Sequence, residues 1–162
     1  MTTFQPDAET VATQDLSSKE LTDELVEETV NYQDVIETVI SSLEQDDTAM
    51  VSITEAGHLW KFKYGTVEVF VQLTGSTEND SFTVWSSVLK LPAKDELGLM
   101  RKLLQMNGTE TFESRFAIIE DQVVVITTRT VAELSPGEIS RAITIVATIA
   151  DNNDEALPEE FC

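Results

Sequence analysis

The sequence predicts an α+β fold: a central antiparallel sheet of about five strands with three helices gathered on one face, in the order α-β-β-β-α-β-β-α. Period-two hydrophobicity over 58–91 and 112–131 supplies the strands, and three stretches with helical spacing precede, separate and follow them. The connections between successive strands are short, which favours antiparallel neighbours over crossovers.

The first helix is read from Leu21, Leu25, Tyr32, Val35, Ile36, Val39, Ile40 and Leu43, with Ser17 and Glu20 placed as a capping box and a second start at Thr29 or Asn31. Its best-founded extent is 31–46. In "HLWKFKY", His58, Trp60, Phe62 and Tyr64 alternate with Leu59, Lys61 and Lys63, giving one aromatic face and one basic face. Beyond the turn at Gly65-Thr66, Val67, Val69, Val71 and Leu73 alternate with Glu68, Phe70 and Gln72, so the two runs form a hairpin. After the loop "GSTEND", the run "SFTVWSSVLKL" is apolar on both faces through Phe82, Val84 and Val88 and through Trp85 and Leu89, as an inner strand is.

Pro92 opens the second predicted helix, with Asp95 and Glu96 in its first turn and Arg101 and Lys102 later, the charge order that the helix dipole favours. Leu97, Met100, Leu103 and Leu104 are its predicted buried stripe. Asn107 and Gly108 tolerate left-handed backbone, and Asn107 is therefore read as the end of the helix, not as a catalytic amide. Two strands follow at 112–119 and 122–131, joined at Glu120-Asp121, and the β-branched run "VVVITT" places the second inside the sheet. "LSPGE" is the clearest local pattern: Ser135 caps, Pro136 takes the first helical position and Glu138 completes a capping box. In the helix so opened, Ile139, Ile143, Val146 and Ala150 line one face while Ala142, Ile145 and Ile149 line another. A helix this apolar is expected to be covered on two sides, by another element or by a second subunit.

Composition bounds the function. With 162 residues and 41% hydrophobic content, the chain suits one domain with tails. The 30 acidic and 10 basic residues give a formal charge of -20, which opposes nucleic-acid phosphates and anionic lipid as partners. The acids are concentrated at the ends: residues 1–50 hold 13 acids and one Lys, whereas 51–111 are nearly balanced. Residues 1–18 are predicted to be a disordered acidic leader, 19–155 a single domain and 156–162 an acidic C-terminal tail. "MTTFQPDAET" has neither the basic start nor the apolar run of a secretory signal, and no apolar stretch reaches the roughly 20 residues of a membrane span, so a cytoplasmic protein is expected.

Residue chemistry narrows it further. His58 is the sole histidine, leaving a His-based triad or a multi-histidine metal set without a second member. Cys162 is the sole cysteine, which excludes an internal disulfide and a thiolate zinc set. "DNNDEALPEEFC" places Asp151, Asn153 and Glu155 at alternating positions, but Ala156 stands where a calcium loop needs Gly and Cys162 where it needs Glu. No catalytic, cofactor-binding or metal residue is assigned, and no cofactor is expected. The remaining lead is aromatic and aliphatic: Trp60, Phe62, Phe70, Trp85, Ile145 and Ile149 either fill the core or form a partner-binding or dimer surface.

The succession "HLWKFKYG", "VEVFVQL", "KLP", "LLQMNG", "FESRFAIIEDQVVVI", "LSPGEI" and "IADNND" resembles the YbjN-like domain family of bacteria, cyanobacterial members included, over residues 31–155. That family is similar in fold to the type III secretion chaperones. The resemblance implies an α+β domain with a central antiparallel sheet, a homodimer, and a protein-binding or regulatory role with no catalytic motif to carry over. The expected function is a non-catalytic, chaperone-like or regulatory module that holds a protein or peptide client on its sheet or along an edge strand. The alternative is a small-molecule sensor with a pocket between helices and sheet.

Overall fold

The computed structural model describes residues 30–162. The expectations for the leader, for the Ser17–Glu20 capping box and for the start near Leu21 fall outside the described residues. Helix α1 (Tyr32–Leu43) leads into four strands, β1 (Met50–Thr54), β2 (Gly57–Tyr64), β3 (Val67–Leu73) and β4 (Ser81–Lys90). Helix α2 (Glu96–Thr109), strands β5 (Arg115–Ile119) and β6 (Gln122–Thr130), helix α3 (Pro136–Asn153) and the short helix α4 (Ala156–Phe161) complete the chain. The strands form one six-stranded sheet in the order β1-β2-β3-β4-β6-β5, antiparallel throughout.

Alternation decides which side chains the helices cover. Trp60 and Phe62, with Val69, Val71, Phe82, Val84 and Val125, point to one face and join Ile36 and Ile40 of α1, Leu99 and Leu103 of α2 and Ile139, Ile143 and Val146 of α3 in a single core. Helix α3 lies on β3, β4 and β6, and α1 packs along α3. Ile149 is 9% exposed and Ile145 is partly buried against the core, so the second apolar face of α3 is covered within the chain.

Local chemistry explains several boundaries. The Ser135 hydroxyl accepts from the Glu138 N–H at 3.1 Å and the Glu138 carboxylate accepts from the Ser135 N–H at 3.3 Å, so the predicted capping box starts α3 behind Pro136. Glu120 and Asp121 have φ of 50° and 61°, the two left-handed residues that a tight turn between β5 and β6 requires. At the β2–β3 turn, Gly65 (φ +57°) lies against Asp151; a Cβ there would come within 2.1 Å of its carboxylate. Asp151 Oδ1 accepts from the Thr66 N–H at 3.0 Å, tying that turn to the end of α3.

The sheet has one strand beyond the five located in the sequence: β1 comes first, all five of its residues are exposed, and it shows no alternation of burial. Four expectations are corrected. Helix α2 begins at Glu96, not Pro92, because the Asp95 carboxylate caps it by accepting from the Gly98 N–H. Its buried stripe is Leu99 and Leu103, whereas Leu97 and Leu104 are 79% and 72% exposed. The helix runs past Asn107 to Thr109, with Glu110 at its C-cap. Residues 156–161, expected as tail, form α4 and bury Leu157 and Phe161 in the core.

Candidate functional site

The sheet face opposite the helices gathers the aromatic residues that the core leaves out. Phe70 of β3 stands opposite Trp85 of β4, and their rings stack with centroids 5.3 Å apart and planes 11° from parallel. Cross-strand partners share a face, so one row runs across the sheet from Met50 through Lys61, Phe70, Trp85 and Ile126 to Arg115. Leu59, Val124 and Ala117 lie on the same face in neighbouring rows by the same alternation. Leu59, Phe70, Trp85 and Ile126 are half-buried, Val124 is buried, all five lie outside the core cluster, and among the described residues no helix packs over them. The stacked pair contributes on the order of 1 kcal/mol beyond its buried area and holds a flat aromatic surface in place.

The charge on this face differs in sign from that of the whole chain. The six strands contain a single acid, Glu68, out of 30 in the sequence. They contain five cations, and alternation puts Lys61, Lys63, Lys90 and Arg115 on the open face. Arg129 lies on the other face, where it pairs with Glu138 of α3 at 2.5 Å. Lys61 and Glu68 approach to 4.0 Å, both well exposed, so that pair contributes little. On the helix side, hydrogen bonding from Arg129 and then from Ser135 holds the Glu138 carboxyl below the usual range, and Arg141 does the same for Glu113.

Of the six predicted surface residues, the structure unites two. Phe70 and Trp85 form the open-face pair; Trp60 and Phe62 are 2% and 1% exposed and lie in the core on the other face. Ile145 and Ile149 lie on the opposite side of the sheet, on α3. The sequence reading grouped these sets, although alternation carries the signal that separates them: Phe70 falls out of phase with Val69 and Val71, and Trp85 out of phase with Val84. The reading missed the exposed edge of β1, where Met50, Val51 and Ile53 are 60%, 50% and 75% exposed. His58 stacks on Trp60 at 5.5 Å and has the Gln33 amide 3.4 Å from its Nδ1, a packing role at the end of β2. A pocket of about 220 Å³ lies between α1 and the β1–β2 hairpin, lined by Glu37, Ile40, Ser41, Met50, Val51 and Trp60.

With this geometry in hand, comparison with known proteins decides the family: residues 32–159 match the YbjN model, described as "Putative bacterial sensory transduction regulator". The chain belongs to the YbjN family. Among solved structures, this YbjN-family chain is similar to a chain of the crystal structure of the ExsC–ExsE complex, with a TM-score of 0.54 over 76% of this chain and 91% of that one. At 16% identity that likeness is one of fold. No curated protein matches the sequence. Among the described residues, no helix is long and apolar enough to cross a membrane.

Proposed function

We propose that this YbjN-family chain is a non-catalytic, chaperone-like binding module of the cytoplasm that holds an extended segment of a partner protein against its sheet. The observation that carries the reading is the Phe70–Trp85 stack on a sheet face that no described helix covers. Phe70, Trp85 and Ile126 are half-buried there, and a partner that covers their remaining apolar surface gains by doing so. β1 is an edge strand of the sheet among the described residues, and an edge offers backbone groups that an extended segment pairs with. The family's regulatory description and a fold neighbour solved as a complex of two proteins support the same reading. The homodimer expected from the sequence loses one argument, since α3 is covered within the chain; the exposed Leu97 and Leu104 of α2 are one apolar surface that a second copy could cover.

Affinity capture from native cytoplasm, with wild type and a folded Phe70→Ser/Trp85→Ser variant side by side, tests the proposal. Partner proteins identified by mass spectrometry should be retained by wild type and lost by the variant. Identical capture by both proteins sinks the assignment of the open face.

A sensor reading rests on the pocket beneath α1, where the Trp60 indole N–H donates to Glu37 at 3.3 Å. Its volume is below the roughly 300 Å³ at which small-molecule pockets ordinarily begin. Native mass spectrometry of freshly purified protein that shows a bound metabolite would favour it over the binding module.

A further inference from the structure

The open face also specifies what kind of segment it takes, and this inference rests on the binding-module reading above. We infer that the partner segment is acidic at both ends and apolar in the middle, about six residues long in extended form, and that it lies across the strands from Lys61 toward Arg115.

The charge inventory comes first. A protein with three times as many acids as bases, distributed without regard to structure, would place acids on its strands as freely as cations. Here the strands hold one acid and five cations, and four of those cations share the face that carries the stacked aromatics. These cations are not used up by partners: on the helix side Arg129 and Arg141 are each paired with a glutamate, whereas on the open face the single close ion pair among the described residues is the 4.0 Å approach of Lys61 to Glu68. An acidic guest therefore meets cations that the carboxylates among the described residues leave largely uncompensated.

The geometry supplies the order of the guest's residues. Along the central row, Lys61 and Arg115 stand at the two ends while Phe70, Trp85 and Ile126 stand between them. Neighbouring strands lie about 4.8 Å apart, so the row from β2 to β5 spans roughly 19 Å. An extended chain advances about 3.3 Å per residue, which fits about six residues over that span. Apolar anchors at the centre would lie on the Phe70–Trp85 stack, and carboxylates at the ends would reach the cations. The host's formal charge of -20 does not forbid this: at physiological ionic strength, charges beyond about 8 Å are largely screened, so a bound segment responds mainly to the side chains beneath it.

Fluorescence polarisation with two labelled octapeptides tests the inference on the full chain: DEFGLFED, and KKFGLFKK with every acid replaced. Wild type should bind DEFGLFED saturably and at least tenfold more tightly than KKFGLFKK. Trp85→Ala should weaken DEFGLFED tenfold or more, and Arg115→Glu at least fivefold. Arg115 is exposed on edge strand β5, so the second variant keeps the test valid if the first unfolds. Equal affinity for the two peptides, or an affinity unchanged by Arg115→Glu, overturns the inference. If native partners are still captured through Phe70 and Trp85 while neither peptide preference appears, the binding-module reading stands and the acidic assignment alone falls. A dimer that Trp85→Ala breaks, with no peptide bound by wild type, assigns the face to a second copy and overturns the inference.

Discussion

Asn107 holds Phe116 by both of its backbone atoms: the amide Nδ2 donates to the Phe116 carbonyl at 3.2 Å while Oδ1 accepts from the Phe116 N–H at 2.7 Å. One side chain on the last turns of α2 thus makes the pair of bonds that a neighbouring strand would otherwise make with β5. Phe116 is 6% exposed, so the groups it satisfies are shielded from water.

Replacing Asn107 with Ala is expected to cost about 2 kcal/mol, since two backbone groups near the core lose their partner at once. Urea denaturation of the variant measures it. A loss below about 0.5 kcal/mol would show that water replaces both bonds, and that the clasp is incidental.

Phe161 gives a larger effect. Its ring is 7% exposed and its carbonyl accepts from the Lys94 N–H at 2.8 Å and the Asp95 N–H at 3.3 Å, fixing the approach to α2. Phe161→Ala should destabilise the domain by about 3 kcal/mol, in line with truncation of buried aromatics. Unchanged thermal unfolding would restore the view of 156–162 as a tail.

At the β5–β6 turn, Asp121 has φ of 61°, a conformation that costs an ordinary residue on the order of 1 kcal/mol and a glycine little. Asp121→Gly should therefore raise stability by about 0.5 kcal/mol, the strain relieved exceeding the entropy gained by the unfolded chain. A lower melting temperature would show that the aspartate side chain stabilises the turn.

The Arg129–Glu138 pair predicts a pH dependence. Its carboxyl is lowered from an ordinary value near 4.5, mainly by the hydrogen bond from Arg129, so the stabilisation is fully present above the unfolded value and is lost as pH falls through the lower folded one. The stability difference between wild type and Arg129→Gln, measured at pH 7, should shrink below about pH 4.5. A difference independent of pH from 7 to 3 would mean that the arginine acts through packing of its stem instead.

Much of this was legible in the sequence because the signals were local and periodic. The alternation of β2, β3 and β4, the Ser135–Glu138 box and the Glu120–Asp121 turn each follow from residues within a few positions of one another. Where the reading failed, the deciding partner was distant. Asn107 looked like a helix end because Phe116 was not visible as its acceptor, and Leu97 and Leu104 fit a helical stripe whose true direction is set by β5 and α4. Strand β1 escaped because burial makes alternation and β1 has none, although Glu55-Ala56 before Gly57 marked a hairpin turn. Phe70 and Trp85 could be separated from Trp60 and Phe62 by phase alone; their stacking required the register between β3 and β4.

The bare edge of β1 has a consequence for the protein as a solute. "MVSIT" has no charge and no proline, the two devices that most often keep sheet edges from joining, and Met50, Val51 and Ile53 stand exposed along it. What keeps copies apart at neutral pH is their shared excess of negative charge. Toward the sequence pI of about 4.1 that repulsion vanishes while the edge stays open, so edge-to-edge joining of folded molecules becomes the path by which concentrated solutions turn cloudy. A lysine in place of Ser52, in the middle of that edge, would be expected to keep them clear.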